Sequence, residues 1–391
     1  MKRILGAAPV ALAAVFLMSC GGNSSPATAP TTSLLTKRAF VTNEFTGAVR
    51  IVDATTDKLD SHSISLGGSP QTMVVSADKK TTLIFSSAGR AVSVIDNATE
   101  TVSGAIGVGE YSDSLAISSD GKLAYAAVRN GTPSIGTALG VVSFIDVAAL
   151  TTTSVDVPLA RRLVLSPNGS KLLVFSDNDS CVRVIDTTSK LVTKVCPLGL
   201  ELDHPVWGVF ANDNTAYVMN CGPECGGTAA GVAQLDMTSN TITATVPVSA
   251  ATVGLLDGST LYVAGTVSAG AGGGCLDVLS TPGLARSKTC AVINDGYHTT
   301  MAISNSRLFV GARACSNVTE GCLSIYNSGA GTAAIGTPQG EITGMQAISG
   351  RAIVYVCEGG ELRIYDSSTS SEKLPAPVNI VGKAWDVKTV D

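Results

Sequence analysis

The sequence predicts an all-β protein assembled from repeats of about 44 residues. Its composition favours short strands over helices: of 391 residues 41 are Gly, 5% are aromatic and 15% are charged, with Val, Ile and Thr dominating between turn clusters. A strand-like hexamer recurs along the chain, and in most copies a second strand that ends in Asp follows it. Repetition accounts for a length beyond that of a usual single domain, because the core of a repeat array grows unit by unit.

The hexamer copies share an apolar centre and start at nearly regular intervals. They are RAFVTN (38), TLIFSS (82), LAYAAV (123), LLVFSD (172), AYVMNC (216), LYVAGT (261), LFVGAR (308) and IVYVCE (353). The second strand ends at Asp53, Asp96, Asp146, Asp186, Asp236 and Asp366. An Asp at this place is expected to open a turn, because its side chain bonds nearby backbone amides. A third strand such as ITATVPV and a fourth such as MVVSAD complete each repeat.

Four short strands per repeat, joined by tight turns, predict a single β-propeller of four-stranded blades. Eight blades are favoured, with seven as the alternative. The first repeat lacks its innermost strand, whereas the chain ends with an extra copy of that strand from Ala384 to Val390. We therefore expect the C-terminal strand to close the first blade and to leave no open sheet edge.

The segments RAFVTN, VRIVDATTDK and GGSPQTMVVSADKK closely resemble the YVTN family of β-propeller repeats, and the resemblance covers residues 38–391. It implies the propeller fold and says little about function, because the family includes surface proteins, redox-associated propellers and many uncharacterised members.

The N-terminus predicts export. Residues 1–19 have a positive start at Lys2 and Arg3 and an apolar run too short to span a bilayer, as in a signal peptide. The sequence Leu-Met-Ser-Cys at residues 17–20 resembles the bacterial lipobox, which implies that Cys20 is lipidated and anchors the chain in a membrane. The alternative is ordinary secretion with cleavage near Ser19.

Residues 20–37 are rich in Ser, Thr, Pro and Ala and predict a flexible tether that carries the lipidated Cys20, followed by the propeller at 38–391. Gly21 after the lipidated Cys20 implies delivery to the outer membrane if the cell has two membranes. The expected location is therefore the cell envelope. The formal charge of −5 disfavours nucleic acid as a partner, and we expect a monomer.

The remaining cysteines predict disulfides, which an exported protein permits. We expect Cys181 with Cys196 and Cys275 with Cys290, each directly opposite across a hairpin of the second and third strands of its repeat. Cys315 with Cys322 and Cys221 with Cys225 would close smaller loops, and Cys357 is left over. Zinc is the alternative at Cys221 and Cys225, although a closed site needs four ligands. No metal or cofactor is predicted.

The candidate ligand site is the mouth of the channel. One repeat position places Thr72, Ser114, Arg162, Trp207, Thr300, Met345 and Trp385 there. Trp207 and Trp385 would occupy equivalent positions four blades apart and could clamp a ligand next to Arg162, or they could fill a wide channel by packing. Asp203, His204, Tyr297 and His298 are expected near the same rim. Elongated loops at 129–140, 221–231, 266–274 and 312–321 enlarge this face.

These residues favour a non-enzymatic binding module that recognises a protein, peptide or glycan on the top face of the propeller. No serine lies in a nucleophile elbow and the chain has 3 His in all. Two alternatives remain. One is a hydrolase of the lactonase type that would use Asp203, His204, Arg162 and His298. The other is a periplasmic partner of a redox enzyme, although no haem-attachment motif is present.

Overall fold

The computed structural model describes residues 32–199, 201–267, 273–316, 321–335 and 339–391. The predicted signal peptide, Cys20 and the tether as far as residue 31 lie outside the described residues. In the tether, Ser33 donates hydrogen bonds from its backbone N and its Oγ to Glu100, at 2.7 and 2.5 Å. No helix in the described ranges combines the length and apolarity needed to cross a bilayer.

Strands make up nearly all of the regular structure. The first fifteen are β1 (Arg38–Asn43), β2 (Ala48–Asp53), β3 (Lys58–Ser65), β4 (Pro70–Val75), β5 (Thr81–Ser86), β6 (Ala91–Asp96), β7 (Thr101–Gly107), β8 (Ser112–Ile117), β9 (Leu123–Val128), β10 (Val141–Asp146), β11 (Thr151–Asp156), β12 (Ala160–Leu165), β13 (Lys171–Ser176), β14 (Val182–Asp186) and β15 (Val192–Val195).

The next are β16 (Pro205–Asn212), β17 (Thr215–Asn220), β18 (Gly231–Asp236), β19 (Thr241–Pro247), β20 (Val253–Asp257), β21 (Thr260–Thr266), β22 (Gly274–Ser280), β23 (Ala285–Ile293), β24 (Tyr297–Ser304), β25 (Arg307–Arg313), β26 (Leu323–Asn327), β27 (Thr332–Ile335), β28 (Ile342–Ala347), β29 (Ile353–Glu358), β30 (Glu361–Asp366), β31 (Ser371–Glu372) and β32 (Ala384–Thr389). A 3₁₀ helix, Gly222–Cys225, lies between β17 and β18.

Within the described ranges these strands form eight antiparallel four-stranded sheets, which are the blades. Blade 1 has the strand order β32-β1-β2-β3, and blades 2 to 8 each take four consecutive strands from β4 onward. The first strand of each blade contacts the first strands of both neighbouring blades, and β32 contacts β28 and β4, so the ring is closed. The prediction of eight blades with closure by the C-terminal strand is confirmed, and the seven-blade alternative is wrong.

The core lies between neighbouring blades. In each blade the third residue of the second strand is large and buried. These residues are Phe40, Leu83, Tyr125, Leu173, Tyr217, Tyr262, Phe309 and Tyr355. Between blades 2 and 3, for example, Phe85 and Val92 pack in one cluster with Leu115 and Ala126. Each blade therefore buries apolar surface only against its neighbours, as in other repeat folds.

The Asp residues act as the sequence predicts. Asp186 Oδ1, for example, accepts hydrogen bonds from the backbone N of Thr188 and Ser189 at 3.1 and 2.7 Å. The turn then places Lys190 at a φ of 60° before the outermost strand begins. These bonds hold the third and fourth strands of the blade in register.

The four predicted disulfides are present. Cys221 and Cys225 are joined by a disulfide, so the alternative of a zinc site at these two residues is wrong. Cys181 and Cys196 flank the pair Val182 and Val195 and face each other directly, as expected.

For Cys275 the expected register is wrong. It lies opposite Val292, because an irregularity around Asp277 gives β23 extra residues, and Cys290 reaches Cys275 from a φ of 42°. Among the described residues the one free cysteine is Cys357, which is buried.

A buried ion cluster joins blade 8 to blade 1. The Asp57 carboxylate, whose side chain is 2% exposed, accepts from Arg351 at 2.6 and 2.7 Å, from Lys373 Nζ at 2.6 Å and from Tyr355 Oη at 2.6 Å. Desolvation raises the pKa of Asp57, but these three partners outweigh it and lower the pKa below its usual value. The cluster therefore stabilises the contact between blades 1 and 8, where the first and last parts of the chain meet.

Candidate functional site

The first strands of the blades surround a central channel, and we call the face where these strands begin the top face. The upper channel holds a cavity of about 320 Å³. Its polar and aromatic lining comprises Tyr111, Asp113, Arg161, Arg162, Trp207, Tyr297, Thr299, Arg313, Trp385, Asp386 and Lys388. The concentration of arginine in this chamber contrasts with the acidic balance of the whole chain.

Arg162 and Trp207 form a stacked pair across the boundary of blades 4 and 5. The Arg162 guanidinium carbon lies 4.7 Å from the centroid of the Trp207 ring. Each residue follows a one-residue irregularity at the top of its strand, so both have the same position in adjacent blades. Trp207 Nε1 donates to the carbonyl of Gly254 at 3.0 Å, which fixes the indole.

A second pair joins blades 7 and 1. The Arg313 guanidinium carbon lies 5.1 Å from the centroid of the Trp385 ring, and Lys383 Nζ lies 5.1 Å from the same centroid. Blade 8, between them, has Gly344 at its channel position. A Cβ there would lie 2.5 Å from Asp386 Oδ1, so β32 can approach β28 only because residue 344 has no side chain.

The predicted equivalence of Trp207 and Trp385 is wrong. In blade 5 Trp207 lies two residues after Pro205, which pairs with Asn220, whereas in blade 1 the residue two after Ala384, the partner of Asn43, is Asp386. A one-residue slip in the repeat alignment produced the error. The two indoles still line one chamber from blades four apart.

In blade 8 the alignment slips by one residue in the opposite direction. Met345 packs in the core between blades, and Gly344 takes the channel position predicted for it. Thr72, Ser114, Arg162 and Thr300 do line the channel.

Some charges of the upper chamber are already paired. Arg161 Nη1 donates to Asp177 Oδ1 at 3.0 Å, and Arg161 Nε lies 3.8 Å from Asp113 Oδ2. Asp386 accepts from Lys388 Nζ at 2.8 Å and from the backbone N of Met73 at 3.0 Å. These contacts leave little free charge on the five side chains.

Arg162 and Arg313 differ. Among the described residues no carboxylate lies within ion-pairing distance of either guanidinium. Arg313 Nε and Thr299 Oγ1 are both buried without a hydrogen-bond partner in the described structure. Desolvation lowers the pKa of Arg162, and the like charges of Arg161 and Arg313 act in the same direction. The chamber therefore holds positive charge that this chain does not neutralise.

A second cavity of about 280 Å³ lies at the rim and includes His204, Tyr297, Arg129 and Asp177 in its lining. His204 Nδ1 lies 2.7 Å from Asp203 Oδ1. Burial opposes ionisation of Asp203, but hydrogen bonds from His204, Thr228 and Ala229 outweigh it and lower the pKa to about 2. An ionised Asp203 thus fixes one orientation of the imidazole.

His298 lies elsewhere. It is 1% exposed, lines neither cavity, and has its Nε2 3.0 Å from the Asn294 carbonyl oxygen. Burial lowers its pKa to about 4. The four residues expected to serve a lactonase-type hydrolase are therefore not together. Asp203 and His204 lie at the rim, Arg162 lies in the channel, and His298 lies in the interior of blade 7. Within the described ranges no three His, Cys, Asp or Glu side chains lie together as metal ligands would.

The elongated loops of blades 3, 5, 6 and 7 join second to third strands. Residues 268–272 and 317–320 of two of these loops lie outside the described residues.

Sequence reasoning missed Arg313, Asp386 and Thr299. Arg313 ends the copy LFVGAR, and none of the other seven copies ends in a basic residue, so its positive charge was a usable signal. Asp386 was hidden by the slip that favoured its neighbour Trp385.

No protein-family model matches the chain, and no curated protein matches it either. The resemblance to YVTN repeats therefore stays a prediction. Solved structures of similar fold include dihydro-heme d1 dehydrogenase NirN in complex with DHE, with a TM-score of 0.66, 15% identity, and coverage of 90% of this chain and 75% of that one.

Kuenenia stuttgartiensis hydrazine synthase has a TM-score of 0.56 and 14% identity, and covers 76% of this chain and 95% of its own. A functionally unknown protein from Desulfotomaculum acetoxidans has a TM-score of 0.57 and 13% identity, with 90% and 98% covered. At these identities the similarity extends to the fold alone.

Proposed function

We propose that this chain is a non-enzymatic binding protein of the cell envelope, of the YVTN-repeat type, whose upper channel takes an anionic ligand. The observation that supports this most is that Arg162 and Arg313 line one chamber without a carboxylate partner among the described residues. Both side chains are half-buried, and an unpaired charge that is partly withdrawn from water lowers the stability of the folded protein, so we infer that the two arginines are retained for binding.

The donor geometry favours a carboxylate, sulfate or phosphate group. Guanidinium groups donate in a planar fork that matches these anions and often bind them through two hydrogen bonds. The buried, unpartnered Arg313 Nε and Thr299 Oγ1 supply further donors from the same hairpin of blade 7. The ligand would therefore lie against blade 7 and reach across to Arg162.

The two indoles then have a different role from the clamp that the sequence suggests. Each Trp ring has an arginine over it, at 4.7 Å for Trp207 and 5.1 Å for Trp385. A cation stacked on an indole is stabilised and keeps its hydrogen-bonding edge free. Trp207 and Trp385 would orient the arginines toward the ligand.

Isothermal titration calorimetry tests this proposal. The Cys20→Ser chain, purified without detergent, would be titrated with acetate, succinate, phosphate and sulfate at low ionic strength, and with neutral amides as controls. We expect binding of at least one anion, no binding of the amides, and a loss of at least tenfold in Arg162→Gln and Arg313→Gln. The matched control is Arg90→Gln at the rim, which removes an arginine already paired with Glu110. Failure of every anion to bind would reject the proposal.

The membrane anchor is a separate part of the proposal. We expect a fatty-acid probe to label the wild-type protein and not Cys20→Ser, which would remain as precursor or be released in soluble form. Equal labelling of both proteins would contradict lipidation of Cys20.

A redox-partner role is the second candidate, and the names of two proteins of similar fold, hydrazine synthase and dihydro-heme d1 dehydrogenase, support it. Among the described residues that line the upper chamber there is no His or Cys, so the lining does not fit a haem held by either ligand. Addition of haem with no change in its absorbance spectrum would remove the form of this candidate in which the chain itself carries haem.

A further inference from the structure

The channel continues below the cationic chamber into a lower chamber of about 430 Å³. Leu115, Leu163, Val164 and Lys388 line both cavities, so the two chambers are adjacent. A ligand held at the top would therefore have the lower chamber directly below it.

One wall of the lower chamber is aliphatic. Blades 2, 3 and 4 supply half-buried apolar side chains from consecutive first strands, namely Val74, Val75, Ile117, Val164 and Leu165. Apolar surface left in contact with water is unfavourable, and each buried methylene contributes about 0.8 kcal/mol. This wall thus suits an apolar group.

The two lysines that line the lower chamber already have hydrogen-bond partners. Lys388 Nζ bonds Asp386 Oδ1 at 2.8 Å, and Lys79 Nζ donates to the Thr389 carbonyl at 3.0 Å. By contrast, the unpaired guanidinium groups of Arg162 and Arg313 line the upper chamber and not the lower one. The channel is therefore divided into a cationic end and an aliphatic end.

We propose that the ligand is an amphiphilic anion, a carboxylate with an unbranched alkyl tail. Its head would bind Arg162 and Arg313, and its tail would lie along Val164, Leu165 and Ile117. The strand rises about 10 Å from Arg162 to Leu165, and the alkyl tail would lie along this length. This inference rests on the proposed function, because it specifies the ligand of the same site.

A chain-length series tests it. Acetate, butanoate, hexanoate, octanoate and the tail-less dianion succinate would be titrated into the Cys20→Ser chain by calorimetry at constant ionic strength, with octanol as the neutral control. We expect affinity to rise by up to about fourfold per added methylene, and octanol to bind far more weakly than octanoate.

Two variants locate the tail. Val164→Thr and Ile117→Thr should each reduce the octanoate-to-acetate affinity ratio by at least threefold. The matched control is Val209→Thr, because Val209 has the same strand position in blade 5 as Val164 in blade 4 but does not line the lower chamber. An equal reduction in the control would contradict the assigned wall.

The two proposals fail in different ways. If short anions or succinate bind through Arg162 and affinity does not rise with chain length, the amphiphilic ligand is rejected and the anion site stands. If no anion binds, both are rejected. Octanol binding as tightly as octanoate would reject the role of the charged head.

Discussion

The guanidinium of Arg162 stacks on the indole of Trp207, 4.7 Å from the ring centroid, across the boundary between two blades. Such a contact is worth about 0.5 to 2 kcal/mol, whereas removing a charged group from water costs several kcal/mol. The indole therefore offsets only part of the desolvation cost, and the remainder lowers the stability of the ligand-free protein.

The first prediction follows from this imbalance. Arg162→Gln should raise the free energy of unfolding of the ligand-free protein by about 1 kcal/mol, because it removes an uncompensated charge. Chemical denaturation at pH 7 measures this. The control is Arg351→Gln, which removes a paired arginine and should lower stability. A similar loss in both variants would show that Arg162 is a structural residue.

The second prediction concerns Asp57. Asp57→Asn should lower stability at pH 7 by about 3 to 5 kcal/mol, because it leaves the cations of Arg351 and Lys373 without their carboxylate. The folded-state pKa of Asp57 is lowered. Its contribution is therefore present above the unfolded value near 4 and is lost as pH falls through the folded value. Denaturation from pH 7 to 3 should show the gap between wild type and variant closing toward acid pH. A constant gap would contradict this account.

The third prediction concerns Glu358, a buried acid with the opposite shift. Its Oε2 accepts from Tyr365 Oη at 2.6 Å, its Oε1 has no partner, and burial raises the pKa to about 7. The folded state thus holds a proton that the unfolded state releases near pH 4.5, so this group lowers stability as pH rises between the two values.

Glu358→Gln should match wild type near pH 4.5 and exceed its stability by about 3 kcal/mol at pH 8. Denaturation midpoints across this range provide the measurement, with Glu110→Gln at the rim as the control for loss of an exposed carboxylate. A difference that does not change with pH would show that Glu358 is ionised in the folded protein.

The fourth prediction uses Gly344. Gly344→Ala would place a Cβ 2.5 Å from Asp386 Oδ1 and 2.7 Å from Asp386 Cα, so β32 must shift. We expect a loss of about 1 to 3 kcal/mol in stability and weaker anion binding, because Trp385 moves with the strand. Gly107→Ala, with nothing within 4 Å of its Cβ, is the control and should change stability by less than about 0.5 kcal/mol. Equal stability in both variants would contradict the close approach of blades 8 and 1.

The sequence by itself determined the blade count, the closure by β32 and the four disulfides. Most of these features are encoded within single repeats: a strand hexamer with an apolar centre, an Asp that opens a turn, and paired cysteines in the same blade, fifteen residues apart in two of the four disulfides. Strand period and turn chemistry are local, so a reader of the chain can recognise them without knowing its three-dimensional path.

The tertiary structure alone decided which side chains meet in the channel. Irregularities at the top of the first strands, such as the one between Ala160 and Arg162, shift the register by one residue, and a one-residue shift moves a side chain to the other face. The irregularity recurs in β32, and a one-residue slip in the repeat alignment there put Trp385 at the position that Asp386 holds. Arg313 enters the chamber from a second strand, three blades from Arg162, and the closure of the ring brings the two charges into one cavity.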